Sequence, residues 1–377
     1  MSISPISIHS DHSFFQKLAH INWGLVVLIT AVASVGFAAL YSAAGGDFSP
    51  WASKQIMRFG VGFVGMFIIA LIDIRWWYRL TWPVYFGGLI LLVIVEVMGQ
   101  IGMGAQRWIN LGFFQLQPSE TMKIAVVMAL ARYFHAATIE DMRRLKFLLI
   151  PALIILAPVA LVLLQPDLGT SLMIVMAGAA MFFMAGASIW LFILGGASVC
   201  AAIPIAWHFM HDYQKRRVTT FLDPESDPLG AGYHITQSKI ALGSGGMHGK
   251  GFMEGTQSHL NFLPEKQTDF IFTLWAEEWG LVGGLALLAL FGLIFGYGLW
   301  IAMRSRQNYA RYLVLGLSVN FSLYVFINIA MVMGLIPVVG APLPLVSYGG
   351  TSMLAALIGF GLIMSANVYR DSKVTRL

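Results

Sequence analysis

Asp269 is the residue of this sequence with the clearest potential for chemistry. It ends the polar stretch 210–269 and stands directly before the apolar run 270–275. Partial burial at such a boundary raises the pKa of a carboxyl group and makes the carboxylate a better general base. The structural alternative is that Thr268 or Asp269 caps the helix that follows. A carboxylate in this position suits a substrate that is part lipid and part sugar or phosphate.

Glu120 and Lys123 form a second candidate, because residues three apart share one face of a helix. Pro118 suits the first turn of that helix, and either Gln117 or Ser119 could cap it. Ionisable groups inside a membrane span are costly and are by default candidates for function. Two compatible interpretations remain: a structural ion pair, and a site where Lys123 holds a phosphate at the outer end of a cavity.

Asp167 and Arg107 each allow two interpretations. Asp167 lies at the outer end of the fifth apolar run, where it could cap the next helix or line a cavity. Arg107 is followed by Trp108 in an outer loop. A guanidinium group can bind phosphate through two hydrogen bonds, but a cation beside an interfacial Trp is also common at membrane rims.

The sequence shows no complete metal or nucleotide site. His208 and His211 have the spacing of metal ligands, but no Glu or further His completes a zinc motif. The glycine-rich segment 243–251 departs from the phosphate-loop pattern, because Ser244 and Gly251 stand where Gly and Ser or Thr are required. We expect this segment to be flexible or tightly turning.

The composition places these residues in a membrane protein. Hydrophobic residues make up 58% of the 377 and charged residues only 11%, whereas soluble proteins carry about 25% charged residues. Most of the surface must therefore face lipid. The net charge of +5 comes from cations scattered between apolar runs, which argues against nucleic acid as a partner.

The hydrophobic pattern predicts an all-α polytopic membrane protein with about ten transmembrane helices, since a span needs about 20 apolar residues. The eighth segment is too long for one straight span, so it should extend from the membrane, tilt or carry an interfacial turn. The predicted segments are 23–43, 57–72, 82–97, 119–134, 148–164, 170–185, 189–209, 270–303, 312–336 and 350–368.

The distribution of Lys and Arg predicts the orientation. With the N-terminus inside, thirteen of these residues fall on the cytoplasmic side, and the short outer loops hold only Lys54, Arg58 and Arg107. Both termini are therefore expected in the cytoplasm. Residues 210–269 become a large extracytoplasmic loop between the seventh and eighth helices, within a single membrane domain covering the whole chain. Inside that loop, residues 233–242 have the spacing of a helix.

Six ordered motifs resemble those of the SEDS family of bacterial envelope proteins (shape, elongation, division and sporulation). The resemblance covers nearly the whole chain, and the segment 255–260 (GTQSHL) is similar to the elongation branch rather than the division branch. The motifs are 106–112 (QRWINLG), 117–123 (QPSETMK), 165–170 (QPDLGT), 232–246 (GYHITQSKIALGSGG), 263–272 (LPEKQTDFIF) and 337–351 (PVVGAPLPLVSYGGT).

The resemblance implies a peptidoglycan glycosyltransferase of the bacterial cytoplasmic (inner) membrane that serves elongation and rod shape. Its substrate would be lipid II, a disaccharide-pentapeptide on undecaprenyl diphosphate, and its product a β-1,4 glycan formed with inversion. That reaction needs a base for the acceptor 4-hydroxyl and cations for the departing diphosphate. Asp269 matches the family's essential loop aspartate and is the expected base.

The resemblance also implies substrate-binding residues. Glu120 and Lys123 match the family's intramembrane pair, and Asp167 matches another polar cavity position. Arg107 and Lys266 are expected partners of the diphosphate. A divalent cation, Mg²⁺ or Mn²⁺, could assist the leaving group. The implied protein partners are a class B penicillin-binding protein, with its membrane helix near the eighth and ninth spans, and other proteins of the elongation machinery.

Two alternative functions remain open. A lipid II flippase should show polar groups through the full membrane depth and often an internal repeat, whereas Arg107, Asp167, Lys266 and Asp269 all fall on the outer side. A non-catalytic scaffold of the elongation complex would leave glycan synthesis intact when Asp269 is replaced by Ala.

Overall fold

The computed structural model describes residues 14–102, 105–110, 115–138, 140–165, 167–210, 212–223, 231–260, 262–263 and 265–371. His211, one half of the histidine pair considered above, lies outside the described residues. The helices are α1 Phe14–Ala19, α2 Trp23–Ala43, α3 Ala52–Leu71, α4 Ile74–Met98, α5 Pro118–Phe134, α6 Leu145–Leu164, α7 Leu168–Met184, α8 Ile189–Phe209, α9 Asp212–Leu222, α10 Ala231–Ser244, α11 Thr256–His259, α12 Ile271–Arg304, α13 Asn308–Val332 and α14 Gly350–Val368.

Each of the ten predicted membrane segments coincides with one helix. Seven helices of the described chain are long and apolar enough to cross a membrane: α2, α3, α4, α6, α12, α13 and α14. The shorter apolar helices are α7 and the Ile189–Ile205 part of α8, and α5 has 17 residues. Helices satisfy their own backbone hydrogen bonds, which is what a hydrocarbon environment demands. The prediction of an all-α polytopic membrane protein is confirmed.

Helix α5 lies in the interior of the bundle, which explains how a span can carry charges. Most of its residues are buried along its whole length, and it packs against α4, α6, α7 and α13. Its polar side chains therefore face protein rather than lipid. Charged groups inside a membrane are tolerated when they face the bundle interior and find partners there.

The two described ends of the chain meet on one face of the bundle. Asn367 at the end of α14 donates from Nδ2 to the carbonyl oxygen of His20 at 2.8 Å. Lys17 Nζ lies 5.5 Å from the centroid of the Tyr369 ring. This arrangement agrees with an even number of spans, as the charge distribution predicts.

Helix α12 is interrupted at Gly280, whose φ of 66° and ψ of −164° are not helical. This backbone region is open essentially to glycine alone. The long eighth segment therefore consists of two helical parts separated by a turn, one of the solutions that its length predicts.

A small antiparallel sheet follows α4, and the hydrophobic pattern does not predict it. The strands are β1 Gln100–Gly102, β2 Ala105–Asn110 and β3 Gln115–Leu116, in the order β1-β2-β3. Alternation of polar and apolar residues cannot be recognised over so few positions. The sheet holds Arg107 in β2, directly before α5.

Candidate functional site

A partly open cavity lies between α5, α13, α14 and the loop of residues 337–349. Most of its lining is apolar, and its polar groups come from Glu120, Lys123, Asn320, Tyr324 and Ser352. A mostly apolar cavity with a few convergent polar groups is the usual form of a small-molecule site. This arrangement suits a ligand with both hydrocarbon and charged parts.

Glu120 and Lys123 form the ion pair that their spacing predicts. Lys123 Nζ donates to Glu120 Oε1 at 2.8 Å. The Tyr324 hydroxyl of α13 lies 2.8 and 2.7 Å from the two oxygens of the same carboxylate, and Lys123 Nζ lies 4.2 Å from the centroid of the Tyr324 ring. All three side chains are buried, so each charge has a partner in a medium of low dielectric constant. The pair lines the cavity and is compatible with both interpretations of these residues.

Asp167 caps α7 and also contacts Arg107. Its Oδ1 accepts from the Thr170 backbone N–H at 3.1 Å, and its Oδ2 accepts from the Thr170 hydroxyl at 2.9 Å. Arg107 Nε lies 3.5 Å from Asp167 Oδ2. Asp167 therefore caps α7, as one of its two interpretations predicts. It also forms an ion pair with Arg107, which is far from it in the sequence.

Asp269 does not occupy the capping position of α12. Phe270 is the N-cap residue, without a capping side chain, and the Thr268 hydroxyl donates to Glu265 Oε2 at 2.8 Å. The structural alternative, in which Thr268 or Asp269 is the N-cap, is wrong, because the N-cap position falls on Phe270. The half-buried Asp269 faces Gly340 instead, where an added Cβ would lie 3.6 Å from Asp269 Oδ2.

Asn328 and Ser347 hold the main chain around Asp269. Asn328 Nδ2 donates to the carbonyl oxygens of Asp269 at 2.9 Å and Ala341 at 2.7 Å. Ser347 Oγ donates to the carbonyl oxygen of Thr268 at 2.6 Å. A polar residue in the ninth span predicts a hydrogen bond to a neighbouring helix. That prediction is wrong for the Asn328 amide nitrogen, which bonds two loops instead. These bonds attach the backbone at Thr268 and Asp269 to the 337–349 loop.

Lys266 is held by a segment that Glu277 organises. Lys266 Nζ donates to the Ser258 carbonyl oxygen at 2.7 Å, and burial lowers the pKa of Lys266. The buried Glu277 accepts hydrogen bonds from Ser258 Oγ at 2.7 Å, the Gln257 N–H at 2.9 Å and Lys250 Nζ at 2.8 Å. Glu277 therefore fixes the backbone against which Lys266 is positioned.

The glycine-rich segment 243–251 docks onto the break in α12. Breaking a helix leaves backbone donors and acceptors without intrahelical partners, and this segment supplies the missing partners. A Cβ on Gly249 would lie 2.0 Å from the Glu278 carbonyl oxygen, so only glycine permits the approach. The segment is tightly turning, as expected. The docking bonds are Leu281 N to Gly246 O at 2.9 Å, Val282 N to Met247 O at 3.1 Å, Lys250 N to Glu277 O at 3.1 Å and Gly251 N to Glu278 O at 3.1 Å.

The 337–349 loop connects the separate groups of candidate residues. A Cβ on Gly169, two residues after Asp167, would lie 2.7 Å from the Val339 carbonyl oxygen, and the adjacent Gly340 faces Asp269. The same loop contributes two prolines to the cavity. Three sets of predicted residues therefore border or adjoin one loop: Glu120 with Lys123, Arg107 with Asp167, and Asp269. Lys266 instead contacts the Ser258 carbonyl oxygen.

Sequence reasoning misses Tyr324 and the organising role of Glu277. A buried tyrosine hydroxyl usually needs a hydrogen-bond partner, so a Tyr inside an apolar span is a weak signal. Glu277 stands out as a carboxylate in an apolar run, but its partners come from residues about twenty positions earlier. Only the folded chain reveals which groups it binds.

The family model for the FtsW, RodA and SpoVE proteins, described as cell cycle protein, matches residues 11–372. The peptidoglycan glycosyltransferase MrdB of Escherichia coli (strain K12) is 45% identical over 359 residues, which cover 95% of this chain and 96% of that protein. The probable peptidoglycan glycosyltransferase FtsW of Trichlorobacter lovleyi is 36% identical over 93% of both.

Solved structures show the same fold. A chain of a peptidoglycan synthase complex that coordinates polymerization and crosslinking is 32% identical, with a TM-score of 0.82, and the match covers 94% of this chain and 99% of that one. The rod shape determining protein RodA of Thermus thermophilus is 30% identical, with a TM-score of 0.72 over 94% of this chain and 98% of that one. This chain belongs to the FtsW, RodA and SpoVE family, which is the SEDS family.

Proposed function

We propose that this peptidoglycan glycosyltransferase of the RodA type joins lipid II units into β-1,4 glycan strands for cell elongation. The observation that carries the proposal is the position of Asp269. Its carboxylate faces Gly340 of the loop that also lines the intramembrane cavity. A base for the sugar and a cavity for the lipid thereby adjoin the same loop.

Asp269 acts as the general base. It removes the proton from the 4-hydroxyl of the acceptor sugar, and the acceptor oxygen attacks the anomeric carbon of the donor from the face opposite the diphosphate. One C–O bond forms while the C–O bond to the diphosphate breaks, so the α-linked donor gives a β-linked product and undecaprenyl diphosphate leaves. A positioned base contributes about 10²–10⁴-fold to such a rate.

Arg107 and Lys266 are the cations that we assign to the departing diphosphate. Arg107 and Lys266 are held by neighbouring groups, at Asp167 and at the Ser258 carbonyl oxygen. Positive charge that is fixed before the reaction stabilises developing negative charge without reorganisation. Lys123 lines the cavity beside Glu120. We assign its ammonium group to the phosphate of the lipid-linked substrate, within the membrane part of the protein.

A divalent cation, Mg²⁺ or Mn²⁺, would assist the leaving group by neutralising the charge of the diphosphate. No cluster of three or more His, Cys, Asp or Glu side chains that could hold a metal ion exists among the residues with described positions. We therefore expect that a Mg²⁺ or Mn²⁺ ion assisting the leaving group would take most of its ligands from the diphosphate. No residue of this chain is assigned to it.

The deciding experiment is polymerisation of purified lipid II by the full chain together with its partner. We expect Asp269→Ala and Asp269→Asn to lower glycan synthesis at least about 100-fold, while Glu254→Gln, which replaces an exposed carboxylate of the same outer loop, retains wild-type activity. Glycan synthesis by the folded Asp269 variants would favour the scaffold alternative.

The same polymerisation assay, carried out in detergent solution, distinguishes the transferase from the flippase alternative. A flippase moves lipid II between leaflets and forms no glycosidic bond. A chain that is only a flippase therefore produces no glycan in detergent. The intramembrane pair Glu120–Lys123 is the observation that favours this alternative, because its charges lie in the cavity. Glycan formed in detergent by the wild-type chain but not by Asp269→Asn excludes flipping as the sole activity.

A class B penicillin-binding protein is the partner that we propose, with its membrane helix on α12 and α13. An apolar groove lies between these two helices, and Phe295, Phe326 and Met333 are among its lining residues. Apolar grooves of this kind accept a helix through close packing. We expect Phe326→Trp, which fills the groove, to weaken co-purification of the partner, whereas Phe86→Trp on exposed α4 should not.

We propose that both termini lie in the cytoplasm, with the chain in the bacterial inner membrane. The contact between Asn367 and His20 supports a common side for the two ends. The excess of Lys and Arg on that side supports the cytoplasmic assignment. A C-terminal reporter that is active only in the cytoplasm tests this orientation, and activity of a periplasmic reporter there would contradict it.

A further inference from the structure

A second cavity lies where the two ends of the chain meet. It is open to the surface, and it is formed by the start of α2, the middle and end of α12 and the end of α14. Its lining includes Trp23, Tyr297 and Trp300. None of its lining residues belongs to the cavity that contains Glu120 and Lys123. The proposed transferase chemistry does not use it.

One wall of this second cavity is an open groove along α12. Gly292 and Gly296 line it, and a Cβ added at either glycine would meet no atom within 4 Å. The groove is flanked by the exposed aromatic rings of Trp23 and Trp300. Trp side chains are enriched at the interface between hydrocarbon and headgroups. The shape therefore suits a hydrocarbon chain that enters from the interface.

Asn367 supplies a buried polar group to the same cavity. The residue is only 6% exposed, and its Nδ2 donates to the His20 carbonyl oxygen. Within the described part of the chain, Asn367 Oδ1 has no hydrogen-bond partner. This oxygen is shielded from solvent, so Asn367 contributes to the site by tying the end of α14 to His20 rather than by contacting a ligand.

Positive charge surrounds the opening of the second cavity. Arg370 lines it, and Lys17 and Arg304 lie over neighbouring aromatic rings. Asp371 is the acidic residue beside them, and its carboxylate is 3.6 Å from Arg370 Nε and 3.3 Å from Arg306 Nε. The cations of this cluster therefore outnumber the carboxylate that contacts them, and the surplus charge is complementary to an anion.

We propose that this cavity binds an anionic phospholipid of the leaflet that faces the two termini. The phosphate lies against Arg370, and an acyl chain follows the groove at Gly292 and Gly296. Basic pockets between membrane helices on the cytoplasmic side are suited to anionic headgroups. The lipid would join the N-terminal segment, α12 and α14 at a point remote from Asp269.

Native mass spectrometry of the full-length protein in detergent tests the site, with phosphatidylglycerol or phosphatidylcholine added. We expect preferential retention of phosphatidylglycerol by the wild type. Arg370→Gln should lower that retention about fivefold, the effect of one basic residue at an anionic membrane surface. Gly296→Leu should lower retention of both lipids, because it fills the groove.

Two matched controls separate the site from general surface effects. Arg79→Gln replaces an exposed arginine that also lies over a Trp ring, and Gly60→Leu fills open space on α3; both should retain phosphatidylglycerol normally. Equal retention of the two lipids by the wild type, or a loss in Arg79→Gln equal to that in Arg370→Gln, would overturn the proposal. Asp269→Asn should retain the lipid normally, so this result is independent of the transferase assignment.

Discussion

The amide of Asn328 donates a hydrogen bond to the main-chain carbonyl oxygen of Asp269 at 2.9 Å. The same amide holds Ala341 at 2.7 Å, so one side chain of α13 fixes the two loops that meet at the proposed base. The Asp269 carboxylate owes its position to a residue 59 positions away in the chain.

We predict that Asn328→Ala lowers lipid II polymerisation by up to about 100-fold, because small displacements of a catalytic group are costly. The variant should also lose about 1–3 kcal/mol of stability, because the buried carbonyl group of Ala341 and the partly buried one of Asp269 lose a donor. Polymerisation assays and thermal unfolding in detergent measure the two effects. Asn308→Ala, on an exposed position of the same helix, is the control and should behave as the wild type.

Gly280→Ala should destabilise the protein by about 1–3 kcal/mol, since its backbone conformation is almost restricted to glycine. An added Cβ would also lie 2.3 Å from the Gly249 nitrogen, in the docked glycine-rich segment. Gly284→Ala on the same helix is the control, because its Cβ would make only an ordinary contact at 3.6 Å. Equal melting temperatures for the two variants would contradict this account of the break.

Because Glu120 and Lys123 form a buried ion pair, removing one charge should destabilise the protein much more than removing both. Lys123→Met leaves Glu120 without its cation and should cost about 3–5 kcal/mol, whereas Glu120→Gln/Lys123→Met should restore much of that stability. Unfolding measurements on the single and double variants test the coupling. If Lys123 also holds phosphate, the stable double variant should still polymerise lipid II poorly.

The lowered pKa of Lys266 predicts a loss of activity at alkaline pH. Burial favours the neutral amine, so the charge needed for diphosphate binding disappears as pH rises through a pKa below the usual 10.5. Between the lowered pKa and 10.5, the unfolded chain binds more protons, so folding stability should rise with pH while activity falls. Lys266→Arg should remove this alkaline decline, and an unchanged pH profile in that variant would refute the role.

Substitutions of Asp167 can separate its capping from its charge. Asp167→Ala should cost about 1 kcal/mol through loss of the α7 cap, and Asp167→Ser should restore most of this stability because Ser is also a good cap. Both variants should lower polymerisation, because Arg107 loses its carboxylate partner at 3.5 Å. Full activity of Asp167→Ser in the lipid II assay would show that the cap alone matters.

Much of the fold can be predicted from sequence because its causes are local. The apolar runs at 23–43 and 350–368 coincide with α2 and α14, since a span is defined by consecutive residues and the width of the hydrocarbon core. The contact between Glu120 and Lys123 is likewise local, because helix geometry brings residues three apart together. The short sheet around Arg107 is missed because its pattern is too brief.

The sequence by itself determined the membrane class, the ten helical segments, the expected orientation and the candidate residues, through hydrophobicity, charge distribution and motifs. Only the tertiary structure decided that Arg107 pairs with Asp167, that Asn328 holds Asp269, and that a glycine-rich segment fills the break at Gly280. The physical reason is that these contacts join residues far apart in the chain. A buried donor or acceptor needs a partner, but the sequence does not specify which distant group will provide it.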